Sequence, residues 1–136
     1  MNIKKFLSGP GSLPLFRAGE NPADIEEAIA EAGRLGWFTA VLDFSSASDK
    51  RSMMKQFAVQ MKFPDYFGHN WDALEECLKD LQEWIKAPGY LLIIRGYDAS
   101  EGKFPEEMKN ICEILESVSA FWSSRKPPVT FKTVLA

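Results

Sequence analysis

Residues 63–81 read FPDYFGHNWDALEECLKDL, and the rest of the chain is organised around this stretch. Pro64 and Gly68 frame a short aromatic loop, and Asn70 is placed to cap a helix that follows it. Trp71, Leu74, Leu78, Leu81 and Ile85 recur at alternating spacings of three and four, with Cys77 beside them. That is one apolar stripe, and it predicts a helix from Asn70 to about Ile85. The other side is nearly all carboxylate: Asp72, Glu75, Glu76, Asp80 and Glu83, against Lys79 alone. The whole chain nets only −3, so its negative character is concentrated here. Charge runs are common on solvated helix faces, and charge alone leaves a solvated face and a docking face equally open.

On either side of this helix, strand and helix signals alternate. Upstream, Asn21-Pro22-Ala23-Asp24 reads as a helix start: a capping Asn, Pro at the first helical position and an acid in the first turn. Ile25, Ala28, Ile29, Ala32 and Leu35 follow helical spacing, and Gly33 and Gly36 close the element. Trp37–Phe44 (WFTAVLDF) reads as a largely buried, central strand, with Ser45–Ser48 as the loop after it and Asp43 as a turn residue. Ser48 or Asp49 caps a helix to about Met61, with Met53, Met54, Phe57, Ala58 and Met61 inward, and Phe63-Pro64 ends it.

Downstream, Tyr90–Arg95 (YLLIIR) is a second buried strand and 96–103 a polar loop. Phe104-Pro105 opens a last helix with Met108, Ile111, Cys112, Leu115, Val118 and Trp122 inward, and Val129–Leu135 is a third strand. Residues 1–20 read as an irregular arm, with a short strand around Ser12–Arg17 only faintly signalled. Strands separated by helices imply parallel pairing through right-handed crossovers. The expected fold is a small α/β domain with a three-stranded parallel sheet packed with helices.

Composition bounds the function. A chain of 136 residues fits one domain, 1–136, large enough for a core without staples. An acidic balance, with pI near 5.2, argues against direct nucleic-acid binding, which needs clustered Lys and Arg, and suits a basic protein partner. Cys77 and Cys112 lack a CxxC or nearby His partner and read as reduced core residues. No apolar run reaches signal-peptide or membrane-span length, so the expected location is cytoplasmic, with no membrane partner. Oligomeric state is open.

The loop weighs toward docking. Asp65, Tyr66, Phe67, Gly68 and His69 set aromatics, a glycine and a histidine beside the acids, and tyrosine is an effective interface residue. One of Tyr66 and Phe67 is expected to pack beneath the loop.

Tyr66-Phe67-Gly68-x-Asn70-Trp71-Asp72-Ala73-Leu74-x-x-Cys77-Leu78 resembles the loop-and-helix motif of the barstar family of intracellular ribonuclease inhibitors. The likeness extends over about residues 37–135, the core, and makes 1–36 an N-terminal extension carrying one helix. It implies a barstar-like fold and an immunity- or antitoxin-type hydrolase inhibitor, with no catalysis and no cofactor, that plugs the basic active site of a ribonuclease. In that family acidic side chains stand where RNA phosphates would lie. The resemblance places partner contacts at Tyr66, Gly68, Asn70, Asp72, Glu75 and Glu76, with Glu76 at the principal phosphate-mimicking position. Glu75 stands where the family has an exposed tryptophan, and Lys79 and Asp80 where it has threonine and glycine. A further contacting glutamate of the family aligns with Ser117 and is not carried over.

Two other readings compete. One is a barstar-like interaction module that binds a non-nuclease basic partner, since fold does not fix function. The other is a metal-assisted hydrolase using His69 and Asp72, but the chain has one His and no HExxH, nucleophile elbow, P-loop or dinucleotide fingerprint.

Overall fold

Gly89–Arg95 is buried at every position except Arg95, as a strand covered on both faces must be. The computed structural model describes residues 3–8, 14–18 and 22–136. In chain order these form α1 (Ile3–Ser8), β1 (Leu15–Arg17), α2 (Pro22–Arg34), β2 (Phe38–Asp43), α3 (Lys50–Gln60) and α4 (Trp71–Lys79). A 3-10 turn at Leu81–Glu83 follows, then β3 (Gly89–Arg95), α5 (Tyr97–Lys103), α6 (Pro105–Ser123) and β4 (Thr130–Leu135). The sheet runs β1-β4-β3-β2, and all pairings are parallel. Among the described residues no helix is long and apolar enough to cross a membrane.

Alternation along the strands sorts the core into two layers. Tyr90, Leu92 and Ile94 of β3, with Phe131 and Leu135 of β4, face a large cluster built by α3, α4 and α6. Leu91, Ile93 and Val134 face the opposite way and meet Ile3, Phe6 and Leu7 of α1 and Ile25, Ala28 and Ala32 of α2. The N-terminal helices are therefore the second layer of an α/β sandwich.

Five expectations need correction. Among the described residues β2 is an edge strand rather than a central one, paired with β3 on one side, and its Phe38, Thr39 and Val41 are only half-buried. The sheet has four strands, not three: β1 adds to β4 in the register Leu15↔Thr133, Phe16↔Val134, Arg17↔Leu135. A three-residue strand is too short to show a period, and its partner is at the far end of the chain. The N-terminal region carries two helices, α1 as well as α2. The stretch 96–103 contains a helix, α5. It starts at Gly96 in the left-handed region (φ 70°), where a Cβ would lie 2.5 Å from the Ser45 amide. Ser100 Oγ then donates to Phe44 O at 2.9 Å. Lastly, Cys112 is half-buried rather than fully inward, with Sγ 3.4 Å from the Tyr97 hydroxyl.

Local details follow the sequence where a side chain acts on its own neighbours. Asp49 caps α3, accepting from Ser52 N at 2.8 Å. Gly36 closes the α2–β2 turn with φ 76°. Asp43 is a turn residue: its carboxylate accepts from Ser45 N at 2.9 Å and Ser45 Oγ at 2.6 Å. The capping role of Asn21 lies outside the described residues.

Candidate functional site

The loop between α3 and α4 is held from below by aromatic rings. Phe63 lies edge-on to Phe67 (4.9 Å between centroids) and to Trp84 (6.3 Å), whose Nε1 donates to Met61 O at 3.0 Å. Phe67 is buried and its amide donates to Pro64 O at 3.1 Å, closing a turn. Tyr66, one residue earlier, is 66% exposed. The loop thus uses one aromatic as an anchor and leaves the other outside.

His69 then takes a left-handed conformation (φ 54°), its ring 4.6 Å from that of Phe67. This turn delivers Asn70 to the helix start. Asn70 Oδ1 accepts from Ala73 N at 2.8 Å, and its Nδ2 donates to Gly68 O at 3.4 Å. A side chain at Gly68 would press on that amide, its Cβ 3.3 Å from Asn70 Nδ2. Gly68 and Asn70 therefore shape the loop and start the helix.

Along α4 the two faces separate cleanly. Leu74, Cys77 and Leu78 are buried, and Trp122 Nε1 of α6 donates to Leu78 O at 2.9 Å. Trp71 is half-buried against the core. Asp72 and Glu76 are exposed. Burial pushes the Cys77 thiol up to about 11, with the Asp80 and Glu76 carboxylates adding to the effect, so it is an inert packing group.

The acidic row is not the continuous helical row that the spacing predicts. α4 stops at Lys79, and Glu83 lies in the separate 3-10 turn. Glu75 is half-exposed and bonded to Lys79, Nζ to Oε2 2.8 Å, and the same ammonium lies 5.5 Å from the Phe121 ring of α6. Glu75 is thereby drawn toward α6 and partly neutralised. Asp72 and Glu76 are in no ion pair among the described residues. Asp80 and Glu83 join the site from beyond the helix. The Tyr66 hydroxyl is raised above its ordinary range by desolvation first, then by Cys77, Asp80, Glu83 and Glu76. It therefore stays protonated near these acids, a neighbourhood the helical spacing alone did not reveal.

The site is a loop anchored by aromatic packing and a short helix, offering carboxylates, a phenol and backbone groups outward, and among the described residues of the site no nucleophile is held by a base. Among the described residues no three His, Cys, Asp or Glu side chains converge as a metal site.

Residues 37–135 match the family described as barstar (barnase inhibitor). The chain belongs to the barstar family. No curated protein matches it. The barstar span takes in β2, β3, β4 and α3 to α6, and so the whole loop-and-helix site. It leaves α1, β1 and α2 outside, the elements that add the fourth strand and cover the back of the sheet.

Proposed function

We propose that this protein is an intracellular inhibitor of a basic ribonuclease, of the immunity or antitoxin type. It docks by the 63–70 loop and the acidic side of α4, without performing catalysis. One observation carries the reading. Leu74 and Leu78 are wholly buried while Asp72 and Glu76 of the same helix are exposed, next to a tyrosine that the loop leaves in solvent. A helix fixed in that way presents pre-positioned carboxylates to a cleft built to hold phosphate with Arg, Lys and His. Fixed geometry lowers the ordering cost of association, and opposite fields speed encounter. Tyr66, Gly68, Asn70, Asp72, Glu75 and Glu76 are the assigned contacts, with Asp72 and Glu76 as the phosphate mimics.

Titration of the full chain into barnase, and into basic ribonucleases of its source cell, tests this by the rate of RNA cleavage. The expected result is stoichiometric loss of activity that weakens with added salt. Ribonucleases that all remain fully active and unbound would reject it. A second reading draws on the Glu75–Lys79 pair, which makes this face less uniformly acidic: a barstar-like module for a non-nuclease basic protein. A stable complex with such a protein, without effect on any ribonuclease, would favour it.

A further inference from the structure

The strand β2 has the composition of an interior strand and the position of an edge one. Its sequence, FTAVLD, carries a single charge, Asp43, at its last residue, and no proline or lysine. Natural edges are blunted by charges, prolines or bulges, because an open ladder invites another strand. Here the ladder to β3 is unbroken from Phe38↔Tyr90 to Asp43↔Arg95, and the other side is open.

That open side is short and bounded at both ends. Phe44 N donates to Arg95 O at 2.9 Å, so alternation turns the main-chain groups of Ala40 and Leu42 toward β3 and those of Thr39, Val41 and Asp43 away from it. Asp43 is already occupied: its amide donates to Gln56 Oε1 of α3 at 2.8 Å, and Gln56 Nε2 donates to its carbonyl. At the other end the Trp37 amide donates to Ala32 O at 2.9 Å. Thr39 and Val41 remain, and their outward N–H and C=O groups have no partner among the described residues.

Two such positions on either side of Ala40 are complementary to themselves. A second copy laid antiparallel, with Ala40 opposite Ala40, sets Thr39 of each chain against Val41 of the other, and each pair exchanges both bonds. A shift by two residues would set Thr39 against Asp43, or Val41 against Trp37, whose amides are taken. A shift by one would turn the free groups out of phase. In the matching register Asp43 falls opposite Trp37, so no like charges meet. The helix beside the edge agrees. The residues one turn either side of Gln56 on α3 are Ser52, Val59 and Gln60, all uncharged, and Val59 is 62% exposed.

We infer that β2 is the interface of a two-fold dimer, in which a second copy of this chain pairs antiparallel through Thr39 and Val41 and continues the sheet. In the dimer β2 becomes an interior strand, the place its composition suits. The uncharged flanks of the two α3 helices line the join, and Val59 leaves solvent.

Sedimentation velocity and NMR hydrogen exchange on the full chain, from dilute to concentrated solution, test this. The mass should rise from one chain to two and stop there. The Thr39 and Val41 amides should become protected as it does, while those of Ala40 and Leu42, bonded to β3, stay slow throughout. Val59→Asp buries a charge at the join, and Thr39→Lys sets two ammonium groups diagonally across it. Each should raise the dissociation constant about tenfold or more, with the fold intact. Glu76→Ala, on the ribonuclease-docking face, should dimerise as the intact chain does. A chain that stays monomeric at every concentration overturns the inference. So does a dimer whose Thr39 and Val41 amides exchange as freely as in the monomer, or one that both substitutions leave unchanged.

Discussion

Lys79 Nζ donates to Glu75 Oε2 at 2.8 Å, one turn apart on the exposed side of α4. The pair is partly open to water, so it contributes little to stability, but it cancels one of the charges nearest the proposed contact surface. Lys79→Ala should shift folding stability by less than about 0.5 kcal/mol. It should also speed association with a basic ribonuclease, most strongly at low salt, because Glu75 regains its field. Stopped-flow association rates at two ionic strengths, beside a denaturant melt, check both halves.

Leu74 and Glu76 separate folding from binding. Leu74 has no exposed surface, and Leu74→Ala should cost about 2–5 kcal/mol of stability, as deletion of a buried leucine does elsewhere. Glu76→Ala should leave the melt within about 0.5 kcal/mol. It should weaken ribonuclease binding by about 1.5–3 kcal/mol, the scale of a hydrogen bond to an ionised group. Equal losses of folding in the two variants would mean that the helix faces are exchanged.

These contrasts show what was legible in the sequence. The buried face of α4 and its Asn70 cap could be read because stripe and cap are local patterns, set by 3.6-residue geometry and one side chain. YLLIIR could be read because a strand covered on both faces is apolar along nearly all its length, and VTFKTVL because Val, Thr and Phe favour strands. β1 could not, since three residues beside Pro14 acquire a strand identity only from pairing with β4. α5 was hidden because only Tyr97 and Ser100 are buried on it, too few to show a period. The break at Asp80 hid the true neighbours of Tyr66, because the 3-10 turn rotates Glu83 out of the helical row.

Acid sensitivity should have an identifiable source at the carboxyl ends of the strands. The hydrogen bond from the Ser45 hydroxyl, then that from its amide, holds the Asp43 carboxyl below its ordinary range. Glu101 is lowered by the Arg17 guanidinium and then by the Tyr97 hydroxyl. A carboxylate depressed by folding adds stability above its unfolded pKa, and that contribution is lost as pH falls through the folded value. Stability should therefore decline from roughly pH 4 downward, the unfolded carboxyl range. Asp43→Asn should flatten part of that decline while lowering stability at neutral pH, as urea midpoints at pH 7 and pH 3 would register.

Removal of residues 1–36 should damage the fold even though the barstar match begins at residue 37. Leu91, Ile93 and Val134 have no exposed surface in the intact chain, and the layer covering them is α1 and α2. Without that layer a contiguous apolar sheet face meets water, and β4 loses its β1 partner along with the Ala18 N to Leu135 O and Thr133 N to Pro14 O bonds. Apolar patches of that kind drive association. The 37–136 fragment should therefore bind a hydrophobic dye, melt at a lower temperature and self-associate beyond a dimer, while the full chain does none of these under the same conditions. Phe6→Ala should weaken the same layer more gently, by about 3–5 kcal/mol. A fragment that associates no further than the full chain, with an unchanged melting temperature, would show that the N-terminal layer is dispensable, and that the family core closes its own back face.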